Sequence, residues 1–222
     1  MGNFAEQMKL TANDMWQFVD AVGVTLFITI VSLFFGTVIG VILGIMRCSQ
    51  NKLVRFAPLI VIEPLRNSPL VVQLFLVYYG IPMLFHVILH DYFSAILTLS
   101  LNTAAFMAVN VQSAILSVPK GQWEAGLALG HSHTSTYIHV IARQAIRVLL
   151  PQAITLYINQ LMCSSLVSLL GIMDLARLGR FLTARTLRPF LIYGIVALLY
   201  FVISYPLSRL AKRMEQRLAM NI

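Results

Sequence analysis

Of the 222 residues in this chain, 59% are hydrophobic and 11% are charged, whereas in a soluble domain about a quarter are charged. This composition argues against a soluble domain and predicts an integral membrane protein. The formal net charge of +8 then indicates orientation in the membrane and not nucleic-acid binding.

Five charge-free runs are each long enough to cross a hydrocarbon core of about 30 Å, which takes about 20 residues of helix. Lipid admits only helices and closed barrels, and these runs are continuously apolar, so we predict an all-α polytopic bundle of five transmembrane helices. The helix of the second run can begin as early as Phe56. The runs are residues 21–46, 67–85, 92–119, 148–173 and 189–208.

Threading the five spans in order places eleven lysines and arginines on one side and five on the other. The excess marks the cytoplasmic side, which predicts an extracytoplasmic lead (1–20), a five-helix core (21–208) and a cytoplasmic basic tail (209–222) in a single domain, 1–222. The first apolar run is too long for a cleaved signal peptide. The cations on the minority side are Lys9, Arg177, Arg180, Arg185 and Arg188.

The first span carries glycines at every fourth position, Gly36, Gly40 and Gly44. Such a stripe permits close crossing of another helix, so we predict that it is a packing surface. At the start of the next apolar segment, Glu63 and Arg66 stand three residues apart and are predicted to pair on a helix. Cys48 and Cys163 lie in or beside different spans, so we expect small apolar packing groups and no disulfide framework.

Uncharged amides and hydroxyls interrupt the third and fourth spans. Such groups inside a membrane either bond between helices or line a wet cavity, and the sequence leaves both open. They include Asn102, Asn110, Gln112, Ser164 and Ser165.

Residues 119–151 are the only long stretch between apolar spans that has a helical pattern. Trp123 and Leu127 stand one turn apart, and so do Gly126 and Gly130, so one helix here would carry an apolar ridge beside a bare glycine strip. A second helical run follows, and Pro151 opens the fourth span.

Through Glu124, Ala125, Gly126 and Gly130, this stretch resembles the cytoplasmic coupling loop of binding-protein-dependent ABC importer permeases, which docks into the ATPase subunit. The coupling loop covers about residues 119–147. The family's later Ile-x-Leu-Pro is replaced by Val-Ile-Ala-Arg at residues 140–143. Its signature, Glu-Ala-Ala, three residues and Gly, is matched by Glu124, Ala125, Gly126 and Gly130.

Other spans narrow the resemblance to polar amino acid permeases and extend it over residues 22–212. The second span is similar to the family pattern at Arg66, Pro69, Leu70, Gln73, Leu74, Tyr79, Gly80 and Pro82. The third matches at Asn102, Ala104, Ala105, Val118, Pro119, Gly121 and Gln122. The charges that the family usually places in the third and fourth spans are missing, with Val109, Gln112, Met162 and Cys163 in their positions.

The resemblance implies a type I ABC importer permease of the bacterial inner membrane, with its N-terminus outside and its C-terminus in the cytoplasm. It implies two ATPase subunits, a second permease, identical or homologous, and an extracytoplasmic solute-binding protein. The chain lacks the G-x-x-x-x-G-K-[ST] nucleotide motif, so ATP and magnesium are expected on the ATPase and no cofactor or catalytic residue here. The alternative function is a channel or scaffold subunit that is not coupled to an ATPase.

Two hypotheses remain for the solute, because Val109 and Cys163 cannot neutralise a cationic side chain. In one, this subunit passes a neutral or acidic amino acid or similar solute along its own polar groups. In the other, a non-identical partner permease holds the specificity. The predicted pathway residues are Gln73, Asn102, Asn110, Gln112, Ser164 and Ser165.

Overall fold

The computed structural model describes residues 10–219, with side chains to residue 217, so the predictions for Lys9 and for the last three residues of the tail lie outside the described residues. Within them the chain is helical and has no strand. The helices are α1 Ala12–Arg47, α2 Lys52–Phe56, α3 Leu59–Arg66, α4 Leu70–Phe75, α5 Ile81–Phe85, α6 Asp91–Leu116, α7 Lys120–Ala128, α8 His133–Thr136, α9 Ala142–Cys163, α10 Leu175–Thr186 and α11 Pro189–Ala219. π-helical turns at Leu76–Gly80 and Tyr137–Ile141 join α4 to α5 and α8 to α9, and a 3-10 segment, Ser164–Leu170, extends α9.

Four of the described helical stretches are long and apolar enough to cross a membrane: α1, α6, the continuous His133–Leu170 and α11. The second predicted span is instead a pair, Lys52–Arg66 and Leu70–Phe85, bent by 103°. Its predicted continuation back to Phe56 is therefore wrong. Pro69 is extended, with ψ 136°, and proline disfavours helix at the residue before it, so the helix breaks at this point. Counting the bent pair as one span gives five.

The glycine stripe of α1 packs against α6, which confirms the prediction of a packing surface. A Cβ on Gly40 would come within 2.6 Å of Met107 Cβ, and Gly36 and Gly44 meet Thr103 and Val111 in the same way. Because the contacting residue numbers rise together along both helices, α1 and α6 run parallel. Between the end of α1 and the start of α6 the chain must therefore cross the bundle in the opposite direction, and the bent pair Lys52–Arg66 and Leu70–Phe85 makes this crossing.

Helix α9 runs antiparallel to α6 and closes the core. Gln160 Nε2 donates to the Leu99 carbonyl at 3.0 Å, and the hydroxyls of Thr37 and Tyr157 lie 2.8 Å apart. Apolar packing continues toward the other end, where Ile115 and Ile141 belong to one buried cluster. These contacts make α1, α6 and α9 a common core.

The bundle has two distinct ends. At the α10 end, Leu178 and Leu182 of α10 pack against Phe18 of α1 and Ile192 of α11. The α7 end holds α2 and α7. Helix α11 starts at the α10 end, where Ile192 packs, and its 31 residues, about 46 Å of helix, carry it toward the α7 end. The boundaries differ from the predicted ones, since helix extends nine residues before residue 21 and continues through most of the predicted basic tail.

Candidate functional site

Helix α7 carries three of the four predicted coupling residues and ends before the fourth, Gly130. The prediction of a continuous glycine strip is wrong, because Gly130 lies beyond the helix with a φ of +83°. It terminates the helix: Gly130 N donates to Leu127 O at 3.0 Å and His131 N to Gly126 O at 3.2 Å. This is the Schellman arrangement, which requires a left-handed residue and so favours glycine.

Gly126 alone makes the close approach expected of the strip. A Cβ there would lie 2.5 Å from Cγ2 of Thr136, a buried residue of α8. Two further contacts hold α7 in place: Gln144 Nε2 donates to Gln122 Oε1 at 3.0 Å, and the rings of Trp123 and Tyr137 lie 6.0 Å apart. Helix α7 is thus fixed at three points to the helical stretch that continues through the bundle to Leu170.

A π-helical turn stands where the family has its Ile-x-Leu-Pro. Ser132 caps α8 by accepting from Ser135 N at 3.2 Å, and the turn Tyr137–Ile141 ends just before Arg143, which replaces the proline. The helix therefore continues from His133 into the membrane without a break.

The rest of α7 faces outward. Glu124 and Ala125 are exposed, Leu127 is 37% exposed and Leu129 is 80% exposed. We call these four residues the docking patch. Among the described residues Glu124 has no hydrogen bond or ion pair, so its carboxylate is available to another molecule. A carboxylate among exposed apolar side chains is typical of a protein-binding surface.

Two predicted pathway residues stabilise the break between α3 and α4. Gln73 Nε2 donates to Leu65 O at 2.7 Å and to Ser68 O at 3.0 Å, which satisfies carbonyls that the break leaves open. Asn102 Nδ2 of α6 donates to Gln73 Oε1 at 3.3 Å. Both residues are 7% exposed. The structure therefore brings these two amides together as a bond between helices.

Next to the break, the prediction that Glu63 and Arg66 pair is wrong. Glu63 Oε2 accepts from Asn67 Nδ2 at 2.9 Å, and the Arg66 guanidinium lies 5.8 Å from the centre of the Phe106 ring. Glu63 thus bonds to the residue that follows the helix, and Arg66 reaches the Phe106 ring of α6 instead.

The other four predicted pathway residues do not form one cluster. Ser164 is buried, and its hydroxyl donates to Leu161 O at 2.7 Å. Asn110 and Gln112 are half-buried on α6 and make no side-chain hydrogen bond within the described part of the chain. Ser165 lines a cavity of about 370 Å³ between the 3-10 segment and α11, together with Met162, Ala197, Tyr200, Phe201 and Ser204.

Sequence reasoning missed Tyr200 and Ser204, two further residues of the cavity lining. The Tyr200 hydroxyl is buried and has no hydrogen-bond partner among the described residues. Hydroxyls at positions 200 and 204, one helical turn apart in an apolar run, were the available signal.

Asp174, at the α10 end, is a second missed residue. It is fully buried and caps α10, where Oδ1 accepts from Arg177 N at 2.9 Å, while Oδ2 has no partner within the described residues. Burial raises the pKa of this carboxyl to about 6, against the lowering effect of the backbone hydrogen bonds and of Arg180. The sequence signal was an aspartate shortly after Gly171 and directly before a helical pattern, which is typical of a helix N-cap.

Four arginines, at positions 177, 180, 185 and 188, were predicted on the extracytoplasmic side, and two of them bind within the subunit. Arg180 Nη2 donates to Ser168 O at 3.0 Å, and Arg185 pairs with the buried Asp14 at 2.6 Å. The segment that was expected to be a connection between spans is helix α10, held to α1 by this ion pair.

Comparisons with known proteins agree with this geometry. The family model described as binding-protein-dependent transport system inner membrane component matches residues 36–220. The L-cystine transport system permease protein TcyB of Bacillus subtilis is 36% identical over 195 residues, covering 87% of this chain and 83% of its own length. The glutamine transport system permease protein GlnP of Escherichia coli is 34% identical over 201 residues, covering 90% and 92%. A solved structure described as an amino acid ABC transporter with histidines has a TM-score of 0.84 at 30% identity, over 94% of this chain and 99% of that one.

Proposed function

The chain belongs to the binding-protein-dependent transport system inner membrane component family, and we propose that it forms half of a membrane path that opens alternately to the two sides. It is the permease subunit of an ATP-driven importer of polar amino acids or similar solutes. In the proposal, a second permease, identical or homologous, completes the path. Two ATPase subunits hold ATP and magnesium, and a solute-binding protein delivers the cargo.

The attachment of α7 is the observation that carries this mechanism. Its docking patch is exposed, while Gln122, Trp123 and Gly126 fix its other contacts to the stretch His133–Leu170. A force applied to the docking patch by the ATPase therefore acts on a helix that crosses the bundle. Because packed helices move as rigid bodies, such a force tilts α9 against α6 and changes which end of the path is open.

The α7 end is proposed to face the cytoplasm. It lies beside the basic segment that includes Arg47, Lys52 and Arg55, and positive charge close to span ends favours the cytoplasmic side. The N-terminus and α10 then lie outside, where the solute-binding protein approaches. Exposed Arg188 is available there for acidic groups of that protein, since Arg180 and Arg185 are engaged with Ser168 and Asp14.

We propose that the solute is an amino acid or similar molecule whose side chain carries no net charge. Between Asp91, the first residue of α6, and Asp174 the only carboxylate is Glu124 on α7, so the third and fourth spans offer no acid inside the membrane to a cationic group. The lining of the cavity beside Ser165 contains no charged residue. In this proposal Asn110, Gln112 and Ser165 are the pathway groups, and Gln73 and Asn102 support the helix break.

Co-purification with the ATPase tests the coupling proposal. Glu124→Arg reverses the charge of the docking patch and is expected to release the ATPase. The variant permease, purified alone, is expected to elute at the same position as the wild-type permease in size-exclusion chromatography. Glu215→Arg makes the same charge change at an exposed position of α11 and is the matched control, expected to retain the ATPase. Equal retention by both variants would refute the assigned role of α7.

Reconstitution with the ATPase and the binding protein tests the solute. ATP hydrolysis is expected to rise with a neutral polar amino acid and not with arginine or lysine. Strong stimulation by arginine in a complex whose two permeases are both this chain would contradict the proposal.

A further inference from the structure

A groove of about 580 Å³ opens at the α7 end of the bundle, away from the cavity at Ser165. It lies where α1 and α6 end and where α2 and α7 begin, and its volume is in the range of small-ligand sites, about 300–1,000 Å³. Its lining includes Ile45, Cys48, Val54, Leu116, Lys120 and Trp123.

The charges of the groove lining and of the α1–α2 segment beside it are positive. Lys120 is the charged residue of its lining, and the lining residues of α1 and α2 are interleaved with Arg47, Lys52 and Arg55. The sequence contains no carboxylate from Arg47 to Ile62. An apolar groove with a cationic border fits an anionic amphiphile, whose chain enters the groove while its head group meets the cations.

The position of the groove points to the bilayer as the source of that amphiphile. It lies at the level where two membrane-crossing helices end, which is the level of the lipid head groups. Leu116 on its border is 69% exposed, and Leu53 of α2, next to the lining residue Val54, is 82% exposed. Exposed leucines at this level indicate contact with acyl chains, so a lipid enters from the side without crossing water.

We propose that this groove binds an acidic phospholipid, with one acyl chain packed against Trp123 and Val54 and the phosphate held by Lys120 and the cations of residues 47–55. The proposal depends on the membrane placement of the chain and is independent of the solute. Because Trp123 belongs to α7, the bound lipid contacts the helix that carries the docking patch.

Cys48 lines the groove and reports its occupancy. The chain has two cysteines, so Cys163→Ser leaves Cys48 as the single thiol. The reporter chain, in lipid nanodiscs of phosphatidylcholine alone or mixed with phosphatidylglycerol, is labelled with neutral N-ethylmaleimide at one fixed pH. Phosphatidylglycerol is expected to slow labelling, and native mass spectrometry is expected to show phosphatidylglycerol retained in preference to phosphatidylcholine.

Matched variants separate a bound lipid from general surface charge. Lys120→Gln is expected to weaken phosphatidylglycerol retention about fivefold, as for one cation lost near an anionic surface. Lys212→Gln removes an exposed cation of α11 outside the lining and is expected to leave retention and labelling unchanged. Val54→Trp fills the groove with every cation in place and is expected to displace the lipid, which keeps the test valid if Lys120→Gln misfolds.

Three results would overturn the proposal. Equal retention of the two lipids would show that the head group is not recognised. Equal loss with Lys120→Gln and Lys212→Gln would show a diffuse effect of surface charge. Protection of Cys48 by dissolved inorganic phosphate in phosphatidylcholine nanodiscs would show a site for a free anion and not for a lipid.

Discussion

The backbone of Gly126 in α7 lies directly against the side chain of Thr136 in α8, so that a Cβ at residue 126 would stand 2.5 Å from Thr136 Cγ2 and 3.0 Å from its Oγ1. Both residues are buried, whereas Glu124 and Ala125 on the same helix are exposed. The small third residue of the Glu-Ala-Gly sequence thus sets how closely α7 approaches the helix that it is proposed to move.

Gly126→Ala is expected to displace α7 and to reduce solute-stimulated ATP hydrolysis. Forcing a methyl group into a filled contact costs about 1–3 kcal/mol. Replacing glycine by alanine in a helix gains about 1 kcal/mol, so the steric cost is expected to exceed the gain. The measurements are the apparent Tm of the purified permease and the ATPase rate of the reconstituted complex.

Two further variants test this explanation. Gly121→Ala lies in the same helix with nothing within 4 Å of the added Cβ, so it is expected to be neutral or slightly stabilising. Thr136→Ser removes Cγ2 and is expected to restore part of the activity when combined with Gly126→Ala. A double variant no better than Gly126→Ala alone would show that the contact with Thr136 is not the cause.

The parallel crossing of α1 and α6 predicts a second pair of glycine variants. Gly40→Ala would place a Cβ 2.6 Å from Met107 Cβ and 2.8 Å from the Ala104 carbonyl oxygen, so the helices must separate. We expect a loss of about 1–3 kcal/mol, seen as a lower apparent Tm in detergent. Gly23→Ala, in the same helix with open space around it, is the control. An equal fall in both would mean that the stripe does not determine this packing.

The ion pair between Asp14 and Arg185 predicts a loss of stability at the α10 end. Asp14 is fully buried and Arg185 is 32% exposed, with 2.6 Å between their charged atoms. Removing one partner leaves a buried carboxylate without its cation, and the partial exposure of Arg185 reduces the cost to about 2 kcal/mol.

Arg185→Gln is therefore expected to lower the apparent Tm and to raise hydrogen exchange in α10. Arg188→Gln removes the same charge from an exposed position three residues away and is expected to change stability by less than about 0.5 kcal/mol. Indistinguishable variants would indicate that the ion pair does not fix α10.

The sequence predicted the features that depend on composition and spacing. Continuous apolar runs predicted the helical spans, and the fourth-position glycines predicted the surface on which α1 meets α6. The signature around Glu124 located α7. In each case the physical cause acts within one helix or along one helical face, so it is visible in a short window of residues.

The features that the sequence did not predict depend on contacts between distant segments. Proline at residue 69 indicated a boundary, but the bend there is held by Gln73 and by Asn102 of α6, which are 29 positions apart. Gly130 matched the glycine spacing of a helix strip although it ends the helix. The ion pair of Asp14 with Arg185 joins residues 171 positions apart. A short window of sequence does not show whether a polar side chain such as Gln73 or Asp14 binds a distant residue, faces water or lines the solute path.

Asp174 predicts a pH dependence of stability that is the reverse of that produced by paired carboxylates. Burial raises the pKa of this carboxyl from 3.8 to about 6 in the folded chain, so the folded state binds its proton more tightly than the unfolded state. The stabilising contribution is therefore complete below about pH 4 and is lost as the pH rises through about 6, with a total of about 3 kcal/mol.

Asp174→Asn is expected to remove this dependence, because asparagine stays neutral and still caps α10 through its side-chain oxygen. The apparent Tm of the variant should exceed that of the wild type near pH 7 and approach it near pH 4, as measured by thermal unfolding in one detergent across that range. Asp20→Asn makes the same change at an exposed carboxylate of α1 and controls for net charge. If Asp174→Asn and the wild type keep a constant difference in Tm from about pH 4 to 7, the buried carboxyl does not titrate in this interval. The unpaired Oδ2 would then be stabilised by a neighbouring group even when charged.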